Sequence, residues 1–379
     1  MRARARRWLS LGLFAIVGGA SPAVAEGVVS VFGDVTIYGQ GMVPDGLTDV
    51  VHVGAVRRSV AAVRSNGTII AWGYDMNGEV SAVPTAPAGQ TFTKVFGGWG
   101  FTFFGLTDQG QLLPWGRNTV GQANVAPLPP GRKYTKATAS YFHGGGLRDD
   151  GSIVMWGANQ PTFNVSQQSQ MLTVPSIAPS LRWVDFGIGY DTALALRSDG
   201  QIISWGLDYY YGASMVPVLP PGMRFTQMSF AGTFAVALRS DGALVSWGDD
   251  YFAQVSGAPA EPSEGATWVE VQAGTDHAFA RDSAGNWFGW GTNFDGEADA
   301  SLVPGQVEQF LAVGDYNVVL HAPDCFGDVD GSREVDAGDV GLALLDFGPC
   351  PGCFTDVDGD GEVGGGDISL ILLSMGSCG

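Results

Sequence analysis

One pattern constrains this chain more than any other: Asp241-Gly242-Ala243-Leu244-Val245-Ser246-Trp247-Gly248, a turn dipeptide, a short apolar run, then Trp-Gly. It recurs. Asn66-Gly67 leads to Trp72-Gly73, Gln109-Gly110 to Trp115-Gly116, Asp150-Gly151 to Trp156-Gly157, Asp199-Gly200 to Trp205-Gly206, and Ala284-Gly285 to Trp290-Gly291. In all six copies the turn Gly lies five residues before the Trp, and successive Trp residues are 43, 41, 49, 42 and 43 apart. Self-similarity at this period indicates a solenoid, propeller or array.

Each copy parses as four strands. Around Trp247 these are residues 226–229, 235–239 and 243–247, with a weaker fourth near Gln254 and Val255. Asp-Gly or Asn-Gly between apolar runs signals a tight hairpin with positive φ at both turn residues, so the second and third strands are antiparallel neighbours. One such sheet cannot bury both of its faces, and copies must stack. A Trp recurring at one register position fits the packing between stacked sheets better than a sugar-binding groove, since burying an aromatic side chain contributes about 1.5–3 kcal/mol.

The two ends complete each other. Val28 to Gly33 resembles a third strand with Phe32 in place of Trp, and Gly41-Met42-Val43-Pro44 resembles a fourth. Phe310 to Gly314 and Asn317 to Leu320 look like first and second strands with no third to follow. Joining these halves yields an all-β, seven-bladed β-propeller over residues 26–322, six blades continuous and one shared, with no open sheet edge left between the ends.

The run Leu196-Arg197-Ser198-Asp199-Gly200 leading to Trp205-Gly206, with a lead-in such as Ala231-Gly232 to Ala237-Leu238, resembles the regulator-of-chromosome-condensation repeat family. Blades closing on Val83-Pro84 and Val216-Pro217 look still more like its secreted bacterial branch, typified by the propeller-type beta-lactamase inhibitory protein. That resemblance implies the propeller fold and a role in protein binding. The family's nuclear nucleotide-exchange and chromatin roles do not suit this sequence. Its first 25 residues have a basic start, an apolar run and an Ala-Val-Ala cleavage site, the three parts of a secretory signal, so the expected location is secreted or cell-surface. Without that leader the formal charge deepens from −19 to −23. So acidic a chain repels phosphate backbones, and nucleic acid is excluded as an expected partner. No later segment is apolar enough for membrane insertion, and a monomer is expected.

Up-and-down strands put the loops after the first and third strands on one face. The expected partner-binding residues there are Trp99, Tyr141, Tyr190, Tyr209, Tyr210, Tyr251, Phe252 and Phe294, interleaved with acids such as Asp75, Asp191, Asp208, Asp249, Asp250, Asp276 and Asp295. Aromatic side chains are enriched at interface hot spots, and acids between them suit a basic protein partner. Half of these rings packing down onto blade ends is the plainer alternative. The extra length between Trp156 and Trp205, at residues 162–170, reads as a surface loop. His143 and His277, each eight residues before a turn Gly, share a repeat position and so read as structural. The sequence contains no nucleophile elbow, phosphate-cradling loop or zinc-binding helix, and no catalytic residue is assigned. Two alternatives stay open: a secreted enzyme or carbohydrate binder acting on polysaccharide, which buried carboxylates in the aromatic face would favour, and a structural surface protein.

From Asp324 the composition shifts to 12 acids and one Arg. Asp356, Asp358 and Asp360, a backbone carbonyl from Glu362, and Asp367 stand at positions 1, 3, 5, 7 and 12 of a calcium loop, with Gly361 at the turn. Asp328, Asp330, Ser332, Glu334 and Asp339 form its partner 28 residues earlier, where Ser332 and Arg333 replace a carboxylate and the turn Gly, so weaker calcium binding is expected there. Helices are expected at 340–347 and 368–375. Two such loop-helix halves, here within residues 323–379, resemble a dockerin module, which implies two Ca2+ ions and a cohesin-like or cell-surface partner. Residues Ala337, Gly338, Gly365 and Gly366 stand where dockerins often carry hydroxyls, which departs from the cohesin-reading pattern. Cys325, Cys350, Cys353 and Cys378 are read as disulfides. Pseudo-two-fold symmetry allows Cys350–Cys353 with Cys325–Cys378, or Cys325–Cys350 with Cys353–Cys378. Peptide mapping without reduction is expected to show one of these two sets.

Overall fold

The computed structural model describes residues 27–158, 170–208, 211–305, 307–322, 334–349, 355, 357 and 362–377. The expected leader, residues 162–169, Tyr209, Tyr210, the four cysteines and Asp328, Asp330, Ser332, Asp356, Asp358 and Asp360 lie outside them.

After β1 (Val28–Gly33) come six three-stranded units. They are β2 (Val50–Val56), β3 (Ser59–Arg64) and β4 (Ile69–Gly73); β5 (Phe92–Phe96), β6 (Thr102–Thr107) and β7 (Leu112–Gly116); and β8 (Tyr134–Ala139), β9 (His143–Arg148) and β10 (Ile153–Gly157). Next are β11 (Trp183–Ile188), β12 (Thr192–Arg197) and β13 (Ile202–Gly206); β14 (Phe225–Ala231), β15 (Phe234–Arg239) and β16 (Leu244–Gly248); and β17 (Trp268–Ala273), β18 (His277–Asp282) and β19 (Trp287–Gly291). Then β20 (Val307–Val313) and β21 (Tyr316–His321) pair with each other, and β1 pairs antiparallel with β21, Val28 opposite His321 and Gly33 opposite Tyr316. The two halves at the chain ends therefore meet in one sheet, ordered β1-β21-β20.

Among the described residues three strands, not four, form each propeller sheet. The segment expected as a fourth strand is a loop, because its backbone is engaged elsewhere: the Gln254 carbonyl accepts from an indole, and the Val255 N–H donates to Asp250. The hairpin turns also differ from expectation. At Ser65-Asn66-Gly67 the Gly67 N–H donates to the Arg64 carbonyl and the Arg64 N–H to the Thr68 carbonyl, a three-residue connection in which Gly67 alone has positive φ (77°). This is a type I turn closed by a glycine bulge, which tolerates Asn, Gln, Asp or Ala before the Gly, as the six copies require.

First strands are innermost and wall a central channel of about 300 Å³. Each slips register by one residue at the same place, from Val50/His52 to Val307/Gln309. A bulge sharpens local twist and re-aims the next side chain. At several of the bulges that side chain bonds the adjacent sheet: Val95 N–H donates to His52 Nδ1 (3.4 Å), Val271 N–H to Gln227 Oε1 (3.1 Å), and Lys136 pairs with Asp185; Glu270 instead pairs with Arg281 of its own sheet. Gln309 closes the circuit, accepting from the Val53 N–H and donating to the Val53 carbonyl, both at 2.9 Å.

The six Trp side chains are buried between sheets, and each indole Nε1 donates to a carbonyl in the preceding sheet's outgoing loop, at 2.8–3.1 Å: Gln40, Glu79, Gln122, Met171, Ala213 and Gln254. Phe32 has no N–H to give. At the seventh position the Glu297 carbonyl instead accepts from Asn317 Nδ2 (2.7 Å), and His277 Nε2 donates to Asn317 Oδ1 (2.9 Å). His277 thus holds a structural place, as its repeat position suggested.

Beyond the propeller strands, β22 (Glu334–Val335), α1 (Ala337–Leu345), β23 (Gly348–Pro349), β24 (Glu362–Val363), α2 (Gly365–Leu373) and β25 (Gly376–Ser377) form two halves. Strand β22 pairs with β25 and β23 with β24, so the segment after each helix lies beside the other half's loop. Val335, Ala343, Val363 and Ile371 are their shared core. Both helices begin three residues earlier than expected, because Asp339 and Asp367 sit in the first turn and accept N–H groups ahead of it.

Asn317→Ala is expected to lower stability by about 1–3 kcal/mol, because it strips a fully buried carbonyl and His277 of their partners. Adding Phe32→Trp should recover part of that loss by restoring an indole donor. Urea titration of the three proteins checks this, and no recovery would separate Phe32 from the Trp positions.

Candidate partner-binding face

Seven equivalent hydrogen bonds show that the loops after inner and outer strands share one face. The residue after each outer strand donates its N–H to a carbonyl of the inner-to-middle loop: Tyr74 to Arg58, Arg117 to Phe101, Ala158 to Phe142, Leu207 to Asp191, Asp249 to Thr233, Thr292 to Asp276 and Asp34 to Asp315. The parity expected of up-and-down strands is what the backbone adopts.

The expected partner residues divide into two groups. Trp99, Tyr141 and Tyr190 gather at the channel mouth, with Trp99 and Tyr190 centroids 3.9 Å apart and Tyr141 stacked on Tyr190 at 6.2 Å and 5°. Trp99 is only 4% exposed, and its indole reaches across the mouth to donate to Thr275 Oγ1 (2.8 Å), passing beside Gly232. It stops the channel at this end and has little surface to offer a partner. Arg57 lies against the Trp99 and Tyr141 rings and donates to the Tyr141 hydroxyl. Two further aromatic rings next to the inner-to-middle loops, Phe234 and Tyr316, are buried at the starts of β15 and β21. Tyr251, Phe252 and Phe294 behave differently. They form an edge-to-face series at 4.8 and 6.2 Å over two adjacent sheets, and Tyr251 and Phe294 are 83% and 82% exposed.

The acids divide as well. Asp75 and Asp250 each accept two backbone N–H groups of their own loop, which holds both carboxyls below the usual range, and Asp208 accepts from Gly212 and Ser214. These shape loops rather than greet a partner. Asp276 is another matter: burial, then the charges of Asp315 and Asp249, push its carboxyl up to about 6 despite Arg57 nearby. Burial likewise raises Asp315 and Asp34. Sequence reasoning saw Asp276 as one acid among many, since nothing local marks it as enclosed.

Of the calcium set, Asp339 and Asp367 are buried, and Asp367 binds the N–H groups of Val357 and Gly364, both at 2.7 Å. Glu334 and Glu362 lie on β22 and β24. Among the described residues alone, no three acids, His or Cys converge on one point, since most of the set lies outside them.

For Asp276 the folded value lies above the unfolded one of about 3.9, so the native state holds an extra proton between about pH 4 and 6, and stability declines as pH rises through that window. Asp276→Asn is expected to flatten that part of the stability profile and to raise the melting temperature at pH 7. Melts across pH 4–7.5 check it, and an unaltered slope would remove Asp276 as its source.

No known family profile matches the chain. Solved structures do resemble it. Human WBSCR16 is 15% identical, with 79% of this chain and 99% of that one covered at a TM-score of 0.59. Prp20p from Saccharomyces cerevisiae is 13% identical, with 79% and 92% covered at 0.61. The ectodomain of the Physcomitrella patens receptor kinase CR4 is 18% identical, with 69% and 68% covered at 0.52. At these identities the likeness is one of architecture, and the described sheets form a β-propeller of the kind seen in yeast RCC1 (Prp20).

Proposed function

We propose that this protein is an extracellular, non-catalytic protein-binding module: a seven-bladed propeller that offers its loop face to a protein partner, tethered to a surface or complex by a C-terminal calcium-dependent unit. The observation that carries the binding role is the exposed Tyr251–Phe252–Phe294 series. Aromatic side chains this exposed, held in contact with one another by rigid sheets, are the form that interface anchors take. Among proteins of similar fold, Prp20p binds Gsp1p and histones and has been seen with Kap60, which shows that the architecture can serve protein recognition.

The tether rests on residues 323–379. Asp339 and Asp367 are buried carboxylates at the last position of each loop, anchored to loop N–H groups, and hard oxygen donors of this kind suit Ca2+. With Asp356, Asp358, Asp360 and the Glu362 carbonyl, Asp367 would hold one ion; Asp328, Asp330, Ser332, the Glu334 carbonyl and Asp339 would hold another more weakly. Bound calcium would supply the charge compensation that such clustered carboxylates need to fold together.

A second reading, a secreted enzyme or carbohydrate binder, draws on Asp276, whose raised pKa beside Asp315 is the kind of perturbation that active sites use. The two readings part on one comparison. Tyr251→Ala with Phe294→Ala should lower partner capture from native culture at least tenfold; glycan turnover or retention that Asp276→Asn abolishes, with protein capture undiminished by the two alanines, favours the second reading.

Chelation with EGTA is expected to abolish the near-cooperative melt of the C-terminal unit and leave the propeller transition in place, and Asp367→Ala should weaken calcium binding by at least tenfold. Calorimetry with and without calcium decides this, and a calcium-independent thermogram would reject the tether.

A further inference from the structure

The exposed aromatic series is part of a larger figure. Among the described residues, the outer strands other than β10 are each followed by a loop that ends at a residue of positive φ: Gly39, Gly78, Gly121, Gly212, Ala253 and Gly296. Just before it, four to six residues beyond the Trp or Phe32, every one of these described loops places a large apolar side chain in solvent. These are Ile37 (70% exposed), Met76 (79%), Val120, Tyr211, Tyr251 and Phe294. Because the loops are equivalent by register, the side chains encircle the channel mouth as a crown. Exposed apolar groups scattered singly need no explanation, but one in each of six loops on one face, four of them two residues before the positive-φ residue and two directly before it, does.

Charge is divided between the two ends of the propeller. Among the described residues, the cationic side chains that pair with carboxylates are Arg64, Arg132, Arg197, Arg239 and Arg281 toward the hairpin end, and Lys136, which meets Asp185 in the channel wall. In the loops of the crown face stand only Arg57, Arg58 and Arg117, and all three lie over aromatic rings. Within the crown, Asp34, Asp249, Asp276, Asp295, Glu297 and Asp315 occupy neighbouring loops of three adjacent sheets and repel one another.

We propose that the crown is a docking ring for a basic protein: lysine and arginine side chains of the partner would enter above the Asp276–Asp315 quarter while apolar side chains seat on the tips, so that contact runs around the mouth. This deepens, and rests on, the protein-binding reading above. Charge complementarity selects the partner's sign and the apolar tips supply the desolvated anchors.

The test uses the full chain as target for a random displayed-peptide selection, with the recovered peptides then measured by calorimetry. Three surface variants are compared: Y251S/F294S, I37S/M76S on the far arc, and D276N/D295K. Melting temperatures confirm that each is folded. Recovered peptides are expected to combine Lys or Arg with aromatic or aliphatic residues. Each variant should weaken them about tenfold, and raising ionic strength from about 0.05 to 0.5 M should weaken them further. Neutral or acidic peptides indifferent to salt would overturn the basic partner. If Y251S/F294S destroys binding and I37S/M76S does nothing, the ring is wrong and a local patch remains. Peptides that ignore all three variants, no recovered peptide at all, or binding of a glycan array through Tyr251 and Phe294 would overturn the ring together with the protein-binding reading.

Discussion

The indole-to-carbonyl hydrogen bond between successive sheets is the contact on which the rest of the propeller depends. It links each outer strand to the loop leaving the sheet before it, and a buried indole N–H must find such a partner. Fixing that loop fixes the tip it carries, and so the array of tips on the face. The one sheet that lacks the Trp is the one where the chain ends meet, and there a buried Asn–His pair performs the same service. Closure thus costs no orphaned carbonyl, although the sequence repeat is broken at that point.

The inner circuit complements the outer one. The bulges of the inner strands bring His52, Lys136, Asp185 and Gln227 to bear on neighbouring sheets, and Gln309 joins the last inner strand to the first through residues 256 apart in sequence. On the loop face Trp99 stops the channel, bonded across the mouth to Thr275. Side chains held in place by such cross-links favour recognition with little ordering entropy to overcome. Three-stranded sheets suffice because the outgoing loop, held by Asp75, Asp250 and their counterparts, covers what a fourth strand would have covered.

Much of the architecture was legible in residue order. Six Gly-to-Trp spacings and the orphan Phe32-Gly33 anticipated the sheets and the shared one between the ends, because a hairpin and a filler side chain leave local signatures. The fourth strand was misread, since apolar residues before Val-Pro look the same in a strand and in a pinned loop. The expected partner face was legible in its position but not in its accessibility: Trp99 and Phe294 carry the same sequence signal, and one is buried while the other stands in solvent.

By itself, the sequence determined the repeat, its closure, the acidity and the spacing of carboxylates in the C-terminal loops, for these depend on local turn chemistry and composition. Only the tertiary structure decided which aromatics remain free and which acids are enclosed with one another, and it alone gathered most of the paired cations toward the hairpin end. Those properties arise from loops brought together across the channel from distant parts of the chain, where exposure and charge repulsion are set by neighbours that no local window contains.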